Sequence, residues 1–161
     1  MPKKQRIVKK TIIEGMPKEI YRIARDPEMW SLWYVGMEGP EELHGKGEKG
    51  TKGKFHVSIA GLKFPIEVEV TEDHSSRDTC RWSGKFDGRI KGQQIFEYNL
   101  KDGRTEVTVQ FESTSPESLL GRVASRVVLD RMQENNISTS LKNLKILAEE
   151  KLAGRMEEKT T

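Results

Sequence analysis

The chain has 161 residues, one third of them charged, and a net charge of only +3. That is enough for one domain with its own core, and it excludes the dense basic face that a nucleic-acid binder needs. A single cysteine, Cys80, excludes an intramolecular disulfide and a Cys-rich zinc site, and no apolar run reaches the roughly 18 residues of a membrane span. With no signal-peptide core either, the expectation is a cytoplasmic protein without stable membrane insertion.

In chain order, residues 5–14 carry enough β-branched residues for a strand, and the lysines of PKKQRIVKK read as its solvated face. Pro17 then stands at a first helical position, with Ile20, Tyr21 and Ala24 at helical spacing. Asp26-Pro27 repeats the device as N-cap and first helical residue, so a second short helix carries Met29, Trp30 and Trp33.

From residue 37 the period becomes two. Residues 38–44 suit an edge strand, since Pro40 cannot donate to a ladder. Phe55, Val57 and Ile59 alternate with Lys54, His56 and Ser58; beyond Gly61, Leu62, Phe64, Ile66, Val68 and Val70 do the same. Residues 73–78 read as a polar turn, followed by Cys80, Trp82, Gly84 and Phe86, a hairpin signal at Asp87-Gly88, and the alternation of Ile90, Gly92, Gln94, Phe96, Tyr98 and Leu100. Asp102-Gly103 turns the chain into Val107, Val109 and Phe111.

Ser115-Pro116-Glu117 opens a last helix, which runs to about Lys151 with Leu119, Leu120, Val123, Val127, Ile137, Leu141, Leu144, Ala148 and Leu152 on one side. The fold class is therefore α+β: a curved antiparallel sheet of six to seven strands wrapped around a long C-terminal helix, with two short helices after the first strand. One domain spans residues 1–153, and 154–161 form a tail.

Few residues carry chemistry. Residues 45–50 satisfy GxGxxG, but a strand follows where a dinucleotide site needs a helix, so no cofactor is expected. His44, His56 and His74 lie in separate segments without ligand spacing, so no metal is expected. No nucleophile-base pair can be assembled and no catalytic residue is assigned; Cys80 sits in an apolar register where a thiol is inert. Asp130 and Glu134, however, fall inside the apolar side of the last helix. Either a cation such as Arg126, Arg131 or a strand arginine neutralises them at a rim, or they anchor a ligand in a cavity beneath.

The order of elements resembles the START-like superfamily, also called SRPBCC. The residues carrying it are Ile13 to Tyr21, where a strand ends and a helix starts around a proline; Asp26 to Trp33, with paired tryptophans; Gly47, Gly50 and Thr51 before the main sheet; and Leu141, Leu144, Lys145 and Glu149 on the closing helix. Met16 stands where many members have proline. The resemblance implies a helix-grip fold with a cavity between sheet and terminal helix, and it is nearest to the polyketide cyclase/dehydrase and lipid-transport members. It places Trp30 and Trp33 at the cavity mouth, and Phe55, Phe64, Trp82, Phe96 and Tyr98 on the inner sheet face with Gln94 as its polar residue. The implied function is binding or transport of a hydrophobic small molecule, such as a lipid, an isoprenoid quinone or an aromatic polyketide. Two alternatives stay open: a cyclase or dehydratase using a cavity carboxylate, and a protein-interaction module with no ligand.

Overall fold

A computed structural model describes residues 3–59, 61–115 and 126–160. Seven strands form one antiparallel sheet in the order β1-β7-β6-β5-β4-β3-β2. They are β1 (Lys3–Ile13), β2 (Met37–His44), β3 (Lys52–Ile59), β4 (Leu62–Ser75), β5 (Thr79–Gly88), β6 (Lys91–Lys101) and β7 (Arg104–Ser115). Two short helices, α1 (Pro17–Ala24) and α2 (Trp30–Trp33), joined by a 3-10 turn over Pro27–Met29, follow β1, and α3 (Arg126–Thr160) closes the chain. Helix continues to Thr160 through most of the segment read as a tail. The Ser115-Pro116-Glu117 opening and Leu119, Leu120 and Val123 fall on or beyond the edge of the described residues.

Local chemistry explains most element boundaries. Pro17 starts α1, and the Asp26 carboxylate accepts from the Glu28 backbone N–H at 3.0 Å to cap the turn that leads into α2. Pro40 sits in edge strand β2, where the register slips between Glu38 and Glu42. Asp102 and Gly103 both take positive φ, the backbone twist that a two-residue hairpin requires. The β5–β6 hairpin turns later than Asp87-Gly88. Those two residues stay paired with Glu67 and Ile66 of β4, and the chain reverses at Arg89 and Ile90.

The inner face of the sheet packs on α3 through Leu129, Ile137, Leu141, Leu144 and Ala148, all buried. The outer face is a ladder of opposite charges, including Arg6–Glu112, Lys85–Glu69 and Arg81 between Glu72 and Glu97. Polar bonds fix the helix to the opening strand. The Gln5 amide donates to the Asp130 carbonyl, and Lys145 reaches the Ile12 carbonyl at 2.7 Å and Glu149 at 2.8 Å.

Glu149 also accepts from the Glu14 backbone N–H at 2.9 Å. Burial works to raise its pKa, but that N–H and the Lys145 ammonium outweigh it and hold the carboxyl below its ordinary 4.5. Its stabilising contribution is therefore complete above pH 4.5 and lost as pH falls through the depressed folded value. Glu149→Gln is expected to cost about 1 kcal/mol at neutral pH and progressively less as pH falls below 4.5, read from denaturation curves across that range.

Candidate functional site

The site is a cavity of about 100 Å³ between the inner sheet face and α3. Trp30, Trp33 and Tyr34 close it at the end of the short helices. Ile66, Val68, Trp82, Gly84, Gln94, Phe96 and Tyr98 wall it from the sheet, and Gln133, Asn136 and Ile137 come from α3.

The two neighbouring tryptophans have different duties. The Trp30 indole N–H donates to the Ala24 carbonyl at 2.9 Å, and its ring packs on Phe55 at 5.4 Å, so it anchors a helix of four residues that cannot hold itself. The Trp33 indole N–H has no partner among the described residues, although the residue is 4% exposed and packs edge-on against Phe96. Its backbone carbonyl accepts from Asn143 of α3, while Ser140 accepts the Val35 N–H, which ties this end of the site to the helix. Trp82 bridges the wall, edge-on to Trp30 at 5.5 Å and to Phe96 at 5.9 Å.

Of the other residues expected here, Gln94, Phe96 and Tyr98 line the space as successive inward positions of β6. Phe55 is fully buried behind Trp30, and Phe64 is buried beneath the Arg89 guanidinium; neither lines the cavity. Glu134 points away from it. Its carboxylate pairs with Lys9 of β1 at 2.7 Å, and that ammonium holds it below the usual carboxylate range. The direct partner is thus a strand lysine, and Arg131, one of the arginines considered from sequence, adds a smaller lowering by its charge. Asp130 is half-buried and is not among the lining residues; Gln133 occupies the inward position of that turn instead, 6% exposed.

Among the described residues, the only titratable groups in the lining are the phenols of Tyr34 and Tyr98. Burial pushes both well above the usual range; for Tyr34 a side-chain hydrogen bond with Gln94 offsets part of that rise. The histidines lie elsewhere, His44 beside Glu42 and His56 beside Glu41. The described residues contain no cluster of three or more His, Cys, Asp or Glu able to hold a metal, and no helix long and apolar enough to cross a membrane.

One group behind the site was not visible in the sequence. Asp73, read as part of a turn, lies in β4 after a register slip between Val70 and Glu72. The slip turns it inward, opposite Trp82, under α1. There it accepts from the Tyr21 hydroxyl and binds Arg25 through Nη2 at 2.8 Å and Nε at 3.3 Å. Burial, with Asp73 adding to it, pushes the Tyr21 phenol far above its usual range. The Tyr21 ring meets Tyr98 edge-on at 5.3 Å, so this cluster backs the cavity wall. The glycine-rich segment is docked rather than loose: a Cβ on Gly47 would stand 2.5 Å from the Arg25 carbonyl oxygen, and the Gly47 N–H donates to Thr51.

No protein-family model matches the chain. No curated protein matches its sequence. Solved structures do match its shape. The aromatase/cyclase Zhui from Streptomyces sp. R1128 superposes with a TM-score of 0.73 at 14% identity, over 93% of this chain and 96% of that one. A protein from Thermus thermophilus gives 0.71 at 16% identity, over 89% and 97%. Norcoclaurine synthase from Thalictrum flavum, solved as a point mutant with a transition-state analogue, gives 0.65 at 9% identity, over 93% and 97%. With the strand order, the two short helices and the closing helix all in place, the chain has a START-like helix-grip fold.

Proposed function

We propose that the protein binds, and carries or sequesters, an apolar small molecule in the space between sheet and α3: a lipid, an isoprenoid quinone or an aromatic polyketide. The observation that carries this reading is an aromatic-walled cavity of about 100 Å³ set into the hydrophobic core. An apolar space of that size costs on the order of 2 kcal/mol in lost packing, which a ligand that fills it recovers. The aromatase/cyclase and the synthase of the same fold act on small molecules, which supports the use of the cavity rather than a purely structural sheet.

Binding is favoured over catalysis by a cavity carboxylate because Glu134 is spent on Lys9 and the described lining offers phenols alone as titratable groups. The test is native mass spectrometry of the purified protein, with solvent extraction of what it carries, beside Ile137→Trp, which fills the space from α3. The expected result is a defined apolar adduct on the natural protein and none on the variant, with the circular dichroism unchanged. A clean apo mass that persists after incubation with quinones, fatty acids and aromatic polyketides would overturn the reading in favour of an interaction module.

A further inference from the structure

Five side-chain polar atoms are buried without a hydrogen-bond partner among the described residues. Two of them, Gln5 Oε1 and Ser113 Oγ, belong to register partners across β1 and β7, away from the cavity. The other three, Trp33 Nε1, Trp82 Nε1 and Gln94 Oε1, all belong to residues that line it. Leaving a tryptophan N–H unmet is not the habit of this core, since Trp30 gives its own to Ala24. Buried donors and acceptors are otherwise almost always met, so three orphans in one cavity describe the polar outline of what belongs there.

The three are grouped. Trp33 and Trp82 both pack edge-on against Phe96, each at 5.9 Å, and Gln94 is the next inward residue on the same strand. Across from Gln94 stands Gly84, and the Trp82 ring leans over it so closely that a Cβ there would lie 2.5 Å from the ring. The absent side chain leaves the Gln94 amide and the Trp82 indole facing the same space. The described lining brings no cation or carboxylate to that space to balance a charged group.

On the reading that this cavity holds a ligand, we infer that the ligand is an uncharged apolar molecule carrying a carbonyl-type oxygen that accepts from the indole N–H groups of Trp33 and Trp82, and a hydroxyl that donates to Gln94 Oε1. Specificity then comes from unmet polar groups, which reject an analogue lacking the matching atom more strongly than an apolar wall rejects a change of shape.

Isothermal titration calorimetry with four probes on one frame tests this: tetralin, 1-tetralone, 4-hydroxy-1-tetralone and the charged 1,2,3,4-tetrahydro-1-naphthoate. The hydroxyketone is expected to bind at least tenfold more tightly than tetralin, with tetralone between them and the carboxylate weakest. Gln94→Leu should bring the hydroxyketone down to the level of tetralone, and Trp33→Phe should remove most of the ketone's advantage. Tetralin binding as tightly as the hydroxyketone, or the carboxylate binding best, would overturn this polar outline and leave the cavity a ligand site. No binding by any probe while a defined apolar adduct is still extracted would overturn this polar outline alone, and no binding together with a clean apo mass would overturn both readings.

Discussion

Asp73→Ala is expected to lower the unfolding free energy by about 3 kcal/mol and the Tm by roughly 6–12 °C. The substitution strands the Arg25 guanidinium, bound through two nitrogens, and leaves the Tyr21 hydroxyl only its longer bond to the Arg81 carbonyl at 3.2 Å. Removing one partner of a fully buried ion pair costs about 3–5 kcal/mol, and the lower end applies because the Asp73 and Arg25 side chains keep 19% and 27% of their exposure. Asp73→Asn retains an acceptor and is expected to cost about half as much. Urea denaturation reads these values, and a double-mutant cycle with Arg25→Ala isolates the pair. A loss below about 0.5 kcal/mol for Asp73→Ala would reduce the cluster to a solvent-screened surface pair.

The second large effect belongs to Trp82. Its ring is 9% exposed and packs between Trp30 and Phe96, so Trp82→Ala is expected to cost about 3–5 kcal/mol. The same change widens the cavity and removes one wall, so affinity for an apolar ligand is expected to fall at least tenfold, about 1.4 kcal/mol. Trp82→Phe keeps an aromatic surface against both neighbours and should recover most of the stability. Denaturation curves separate that cost from the loss of binding, provided the titration is run well below the variant's Tm. Unchanged ligand affinity in Trp82→Ala would place the binding site elsewhere.

Periodicity in the sequence made the architecture legible. The alternations ending at Val70, Leu100 and Phe111 became β4, β6 and β7, and the proline-opened segments became α1 and the turn into α2. What periodicity could not provide was phase. On α3 the apolar side inferred from sequence leaned on Val127, which is 65% exposed. Ile137, Leu141, Leu144 and Ala148 are buried as read, but Leu129, Gln133 and Ser140 join them, so the centre of the buried seam is rotated by roughly 50° at 100° per residue. That rotation carries Glu134 out to the flank, where Lys9 awaits it, and brings a glutamine inside. The slip at Val70 and Glu72 is the same kind of failure in a strand, since one added residue exchanges inside for outside. Aromatic residues at Trp30, Trp33 and Trp82 were legible as cavity candidates because their size leaves few other places for them. The unmet state of the Trp33 and Trp82 N–H groups depends on ring orientation, which spacing does not encode.

The placement of the tryptophans has a practical side. The chain has three, and all three stand in the wall of one cavity. No indole elsewhere dilutes the signal, so the tryptophan emission of the protein arises from the wall of the proposed binding site. A ligand that enters changes the polarity around every emitter at once. The protein is in effect its own optical sensor, and a compound collection can be screened against it without a label.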